Sequence, residues 1–413
     1  MSEIANLVIL GTGQGGFQLA MSLREEGFAG RIVMVGDEAS LPYQRPPLSK
    51  AFLSGAVDEE GVQLRPAAFF AENRIDVRVS TRAVRIDAEQ RRLLLENGES
   101  LAYDHLAIAT GARNRLLPVI GADLEGVMRL RDMAEAVYIR DVLPRVRRAV
   151  VIGAGFIGLE FAASARAKGI EVTVIEAGPR PMARAISQTM SDFFTAQHTA
   201  KGITLRFQDG VSRIVGEAGR VTGVETTSGE LIGADLVLIG IGVLPNVELA
   251  LEAGIAVQDG ILVDEFMATS DPHISAYGDC ARAPNRYSPA PLRLESVQNT
   301  VDQARCLAQR LVGKPTPYIA LPWFWSEQGS LKLQMVGLTT PHDEAVLRGD
   351  PASGAFSVFC FRDGRWLGAE SVNRVPEHML ARRLLARQFS TGEAMLSPAQ
   401  AADVGFDLKS LLT

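Results

Sequence analysis

Short, almost wholly apolar runs recur along the chain, and several of them end in glycine. Leu7–Leu10 (LVIL) runs into Gly11-Thr12-Gly13-Gln14-Gly15-Gly16, and a helical pattern follows from Phe17 to Glu25. Ala149–Ile152 (AVVI) runs likewise into Gly153-Ala154-Gly155-Phe156-Ile157-Gly158, with a helical pattern through Ala167. Each block reads as strand, G-x-G-x-x-G, helix. A second strand ending near an acid follows each: Arg31–Val35 before Asp37, and Glu171–Ile175 before Glu176. The chain therefore carries an internal repeat of α/β type.

One glycine-rich turn says little, but two with matching flanks make a specific demand. The first glycine makes the tight turn, and the second lets a pyrophosphate approach the backbone. The third lets helix pack on strand, while the helix N-terminus offers N–H groups and a positive dipole. The terminal carboxylate takes ribose hydroxyls of an adenosine, so two dinucleotides are expected. Glu176 would hydrogen-bond a free 2′-hydroxyl and repel a 2′-phosphate, a preference that Arg180 and Arg184 close behind it could soften. Between the blocks, Tyr103–Gly111 is a strand ending in the small residues Ala109, Thr110 and Gly111. Asp235–Gly242 repeats that ending before Pro245, and Ile274–Asp279 again sets an acid just past a strand and a glycine. Small residues there suit crossings between domains.

Composition narrows the class. With 413 residues, 47% of them hydrophobic, the chain supports two or three domains. A formal charge of −6 leaves no global basic surface, so no nucleic-acid partner is expected. No apolar run approaches the ~18 residues that cross a bilayer, and MSEIANLVIL has no basic leader, so a soluble, cytoplasmic protein off the membrane is expected. Cys280, Cys306 and Cys360 lie far apart and form no pattern with the five histidines, so neither a metal site nor a dithiol centre is expected. Any redox chemistry then falls to a bound cofactor.

Order and spacing resemble the two-dinucleotide flavoproteins built like glutathione reductase. More specific segments are Gly36-Asp37-Glu38, Pro42–Lys50 (PYQRPPLSK), Leu130-Arg131, Glu295–Asn299 (ESVQN) and Pro322–Ser326 (PWFWS). They resemble the putidaredoxin reductase-like, NADH-dependent ferredoxin reductases of bacterial oxygenase and P450 systems, over nearly the whole chain. The resemblance implies an FAD domain from 1–112 and 243–318, an NAD domain from 113–242 and a C-terminal α+β interface domain from 319–413. It implies hydride transfer from NADH to FAD and single electrons passed to a small [2Fe–2S] ferredoxin by a monomer or weak dimer. Relatives of the disulfide-reductase branch carry a CxxC or CxxxxC near the first helix, and none exists here.

The resemblance also assigns residues. Gly11, Thr12, Gly13, Gly15, Gly16, Asp37, Arg45, Ala83, Ala109, Thr110, Gly111, Arg131, Asp279 and Val297 are expected on FAD, Val297 through its N–H. Gly153, Gly155, Phe156, Ile157, Gly158, Glu176, Arg184 and Glu295 are expected on NAD, Glu295 facing the carboxamide. Lys50 is placed beside flavin N5 and paired with Glu160, where a cation favours the reduced, anionic ring. Trp325, with Trp323 near it, would wall the ring or gate electron exit. Because the chain and such ferredoxins are both acidic, docking needs a local basic patch; Arg305, Arg310, Lys314, Arg382 and Arg383 are the candidates. The rival readings are a rubredoxin reductase, an NADH oxidase or peroxidase, and an NADH-sensing flavoprotein like apoptosis-inducing factor.

Overall fold

The structure, a computed structural model, describes residues 4–412; the leader reading made on Met1–Glu3 lies outside the described residues. The chain forms two compact units. One comprises Met1–Arg45, Glu59–Arg113 and Val243–Ala320; the other comprises Pro46–Asp58, Asn114–Gly242 and Leu321–Thr413.

The first unit is built on a five-stranded parallel sheet ordered Ile274–Ala276, His105–Ile108, Asn6–Leu10, Arg31–Val35 and Ile75–Arg78. The second carries the same plan, ordered Ile203–Phe207, Glu171–Glu176, Arg148–Ile152, Leu236–Ile239 and Val127–Met128. The central strands are buried from end to end apart from their first residues, which is why they read as continuous apolar runs. The repeat extends further than the glycine motifs. A three-stranded antiparallel meander precedes His105–Ile108 in one unit (Ala83–Asp87, Arg92–Leu95, Ser100–Ala102) and Leu236–Ile239 in the other (Val211–Glu217, Arg220–Thr226, Leu231–Gly233). An aspartate then closes each sheet. Asp104 accepts from the N–H groups of Ala5 and Asn6 at 2.9 and 2.7 Å, and Asp235 from those of Arg147 and Arg148 at 3.0 and 2.9 Å. Burial pushes the Asp235 carboxyl up, but these N–H donors and the Arg148 guanidinium outweigh it and bring it down.

The first glycine-rich helix spans Gln14–Glu25 and so begins three residues before Phe17. Phe17 N–H already donates to Gly13 C=O at 3.1 Å, so the turn is wound through Gly15 and Gly16. The second helix, Phe156–Ala167, ends where the sequence pattern does.

Residues 321–413 add a five-stranded antiparallel sheet ordered Trp323–Gln328, Leu331–Gly337, Arg365–Val372, Phe356–Arg362 and Glu344–Arg348. Alternation along these strands divides the two faces. One face packs Val336, Phe359 and Trp366 against Leu384 and Leu385 of the helix Val375–Thr391. From the other, Phe356 meets Phe193 of the helix Gln188–Ala200, ring centroids 4.8 Å apart. No helix among the described residues is long and apolar enough to cross a membrane.

Candidate cofactor and active site

The three glycines of each motif have different reasons to be glycine. Gly11 and Gly153 sit at φ +127° and +103°, and a Cβ there would lie 2.2 Å from Ala109 O and 2.5 Å from Gly240 O. This explains the small residues at the ends of His105–Ile108 and Leu236–Ile239: the first turn presses on their carbonyls. Gly16 and Gly158 press in turn on Gly11 O and Gly153 O, at 2.0 and 2.3 Å from an added Cβ. The middle glycines differ. Gly13 and Gly155 have ordinary extended φ values of −79° and −78°, and an added Cβ would meet nothing nearer than 4.0 Å. No packing within the chain demands glycine there, and no side chain caps either helix, so each loop is a cradle open to a phosphate. FAD and NAD therefore fit the residues present.

This separation is measurable. Gly16→Ala is expected to destabilise the apoprotein by ~1–3 kcal/mol or more, because backbone must move. Gly13→Ala should leave the apoprotein melting temperature unchanged within about 1 °C, an effect well under ~0.5 kcal/mol, and weaken FAD retention instead. Thermal melts of apoprotein and flavin titration read the two effects apart, and equal destabilisation by both would refute the open cradle.

The acids differ more than the sequence implied. Glu176 is the last residue of its strand, and its carboxylate accepts from Ala154 N–H at 2.7 Å and Gly178 N–H at 2.8 Å, fixed beside the glycine motif. Counting register from Leu10↔Val35 and Ile152↔Ile175, the residue matching Glu176 is Gly36, and Asp37 lies one step further on and exposed. A Cβ at Gly36 would come 2.0 Å from Thr12 Oγ1, so Thr12 fills the matching place. Glu38 is engaged by Tyr43 and Arg45, and Arg45 Nη2 stands 4.0 Å from where a Gly13 Cβ would be. Arg45 thus reaches the first cradle. Arg180 is a correction: its guanidinium donates to Ala183, Ile186 and Ser187 carbonyls at 2.9, 2.9 and 3.2 Å, so it braces its own loop and is not offered to a 2′-phosphate. Arg184 is exposed.

Around the first cradle, Ala109 N–H donates to Leu10 O at 2.8 Å. Thr110 exchanges hydrogen bonds with Asn246, Oγ1 to Asn246 O at 2.7 Å and Nδ2 back to Thr110 O at 2.9 Å, beside Gly111 at φ +63°. Gly15 packs on Thr300 and Tyr277, 3.0 and 3.2 Å from an added Cβ. Asp279 lies in the 3₁₀ turn Gly278–Cys280, whose Gly278 N–H is held by Gln303 at 2.7 Å. Val297 opens the helix Val297–Leu311 behind the N-cap Ser296, so its N–H lies in the first turn. The Glu295 carboxylate is held by Arg293 at 2.5 Å. Ala83 is half-buried in the meander, opposite Leu95. In the second unit, Arg131 N–H donates to Glu135 at 2.7 Å, just ahead of the capping box of Asp132 and Glu135.

Lys50 closes a 3₁₀ turn, Pro46–Ser49, as the N-cap of Ala51–Ser54. The prolines fix this approach. Its Nζ lies 2.9 Å from Glu160 Oε1, with side chains 17% and 6% exposed. Three further donors saturate the acid: Ser49 Oγ to Oε2 at 2.6 Å, Ser326 Oγ to Oε1 at 2.7 Å and Glu327 N–H at 3.3 Å. Behind Ser326 a buried chain continues. Gln328 Nε2 donates to Ser326 Oγ at 3.3 Å, and its Oε1 lies 2.7 Å from His198 Nε2. An amide oxygen only accepts, so His198 carries its proton on Nε2. Burial above all lowers the His198 pKa, with Lys201 adding to it against the raising bond to Gln328, which keeps the ring neutral near pH 7. His198, Gln328 and Ser326 thus donate in series toward Glu160. The sequence reading found Lys50 and Glu160 but missed their supports, although Ser49 and Ser326 stand beside Lys50 and Trp325 in the quoted segments.

Phe156 packs against Phe324 in a tilted arrangement, ring centroids 4.6 Å apart, and Ile157 is 38% exposed at the start of its helix. Trp325 is half-buried beside Trp323, 5.4 Å between centroids, and Arg382 lies over the Trp323 ring at 4.4 Å. The docking candidates divide. Arg310 is a correction, because it turns inward to the Ser275 hydroxyl and the buried His105. Lys314 is exposed but paired with Glu26 at 2.8 Å. Arg305 and Arg383 are exposed.

Two Rossmann-type units with open phosphate cradles, and a C-terminal sheet whose Ser326 reaches Glu160, define a two-dinucleotide oxidoreductase. Residues 5–304 match the family "Pyridine nucleotide-disulphide oxidoreductase", to which the chain belongs, and residues 323–412 match the family "Reductase C-terminal". It is 53% identical to rhodocoxin reductase of Rhodococcus erythropolis over 98% of this chain and 93% of that protein. The crystal structure of the ferredoxin reductase for the CYP199A2 system of Rhodopseudomonas palustris superposes with TM-score 0.96 at 47% identity, covering 99% and 100% of the two chains. The reductase of the covalent putidaredoxin reductase–putidaredoxin complex superposes with TM-score 0.93 at 36% identity, covering 99% and 98%.

Proposed function

We propose that this chain is an FAD-containing, NADH-dependent ferredoxin reductase, handing electrons singly to a small [2Fe–2S] ferredoxin that feeds a cytochrome P450 or ring dioxygenase. The observation that carries it is the pair of open cradles in a chain whose cysteines, Cys280, Cys306 and Cys360, are all free and buried. Electrons entering from a pyridine nucleotide then have no protein dithiol to leave by. Bound flavin supplies a two-electron acceptor that can release electrons one at a time.

The chain's own residues do the rest. In this reading residues 1–112 with 243–318 hold FAD, 113–242 hold NAD and 319–413 serve the interface. The Gly13 and Gly155 loops take the pyrophosphates, with Arg45 beside the first and Glu176 selecting the NAD ribose. Asp37 serves the FAD adenosine from its place one residue past the strand-end position. Lys50 supplies positive charge toward the ring while Glu160, 2.9 Å from its Nζ, keeps that ammonium oriented. Phe156 and Ile157 shape the arrival of the nicotinamide.

Arg383, exposed one residue after the arginine that covers Trp323, is the docking residue to test. The purified yellow protein should release FAD on denaturation and reduce an added [2Fe–2S] ferredoxin with NADH at steady turnover. Arg383→Glu should raise the ferredoxin KM several-fold and leave ferricyanide reduction intact. Slow single reduction without turnover on any ferredoxin would point instead to a redox sensor.

A further inference from the structure

We propose that Glu370, on the C-terminal sheet, is a positioning residue for NADH: through Ser187 it holds the far end of the loop that starts at Glu176 and carries Arg184. The proposal rests on Glu176 being the ribose acid.

After Glu176 the chain makes an eleven-residue excursion, 177–187, before the helix Gln188–Ala200. Arg180 braces it from within, and Met182, at φ +51°, donates its N–H to Ala154 O at 2.9 Å, tying the loop to the second glycine motif. Gln208 N–H donates to Gly178 O at 2.9 Å and the Ser191 hydroxyl to Pro181 O at 2.7 Å, and the C-terminal segment adds a further set of ties along 182–187. Gln328 Nε2 reaches Met182 Sδ at 3.5 Å, Thr339 Oγ1 reaches Ala185 O at 3.3 Å and Thr340 Oγ1 reaches Arg184 O at 3.3 Å. Glu370 makes the strongest tie. Its carboxylate accepts from Ser187 N–H at 2.9 and 3.1 Å and from Ser187 Oγ at 2.7 Å. Both residues are fully buried, at 0% exposure.

The geometry leaves Ser187 no alternative. As N-cap its hydroxyl oxygen accepts Met190 N–H at 3.2 Å, so its one proton goes to Glu370. A carboxylate at the start of a thirteen-residue helix is favoured by the helix dipole. Burial nonetheless pushes the Glu370 carboxyl up, with the Ser187 donors working against it, so the fold carries a cost here. An apolar residue would fill a sheet face more cheaply. What the acid adds is a fixed position for Ser187, and with it the path of the chain through Arg184 back toward Glu176.

The test uses the FAD-loaded enzyme and NADH with ferricyanide as acceptor. Glu370→Gln, with Thr340→Val as a half-buried second variant that strands no buried acid, should raise the NADH KM about five- to tenfold and about twofold respectively. In both, kcat should stay within twofold of wild type. Amide hydrogen exchange across 182–187 should quicken in Glu370→Gln, with NAD⁺ restoring protection only at higher concentration. An unchanged KM and exchange in a folded Glu370→Gln would overturn the proposal. So would kcat falling as steeply as KM rises, the mark of structural cement, or a Glu370→Gln that does not fold together with an unmoved Thr340→Val. Glu176→Ala is measured alongside. If it raises the NADH KM and Glu370→Gln does not, the positioning role fails while the ribose reading stands; if only Glu370→Gln raises it, the ribose reading fails.

Discussion

Replacing Lys50 with methionine is expected to slow flavin reduction by NADH about a hundredfold in stopped flow, the scale on which losing one preorganised charge or donor at a site of developing negative charge acts. The structure adds a stability consequence. Glu160 would keep Ser49, Ser326 and Glu327 N–H as donors but lose its cation, so unfolding should cost less by up to ~3 kcal/mol, the low end for breaking a buried pair. The double variant Lys50→Met/Glu160→Gln removes both charges. It should recover most of the lost stability and none of the rate, because neutralising the acid repairs burial without restoring a cation. If Lys50→Met reduced its flavin as fast as wild type, the residue would be a structural partner of Glu160 and nothing more.

What was legible in the chain was whatever depended on local geometry. The two glycine motifs announced their sheets because a turn pressed against a neighbouring strand admits only glycine, and the paired strand endings at Ala109 and Gly240 were part of that constraint. Register was harder. Asp37 looked like the counterpart of Glu176, but a one-residue offset changes which side chain meets the loop, and Thr12 occupies that place in the first unit. The supports of Glu160 were not legible, because they arise where a strand beginning at Trp323 meets a helix begun at Phe156, a pairing no local pattern encodes. Arg310 was readable in principle. It stands seven residues after Gln303 and three after Leu307, both buried, on the inward stripe of its helix, so its helical spacing argued against a docking role.

Cofactor preference should turn on Glu176, and two substitutions separate its two tasks. Its carboxylate accepts both Ala154 N–H and Gly178 N–H, so it orders the loop besides the ribose role proposed for it. Glu176→Gln keeps one oxygen for an N–H partner and removes the charge. It should lower kcat/KM for NADH about tenfold, the weight of one hydrogen bond to a charged group, and raise the NADPH-to-NADH ratio by at least as much as repulsion is relieved. Glu176→Ala also frees both N–H groups and should cost NADH a further several-fold without a matching gain for NADPH. The gain is capped because Arg180 is spent on the carbonyls of Ala183, Ile186 and Ser187, leaving Arg184 as the nearby exposed cation for a 2′-phosphate. Adding Arg180→Ala to Glu176→Gln should therefore loosen the loop and hurt both nucleotides alike. Were it to cut NADPH selectively, Arg180 would be a phosphate ligand after all; were the ratio unmoved by either Glu176 variant, ribose recognition would lie elsewhere.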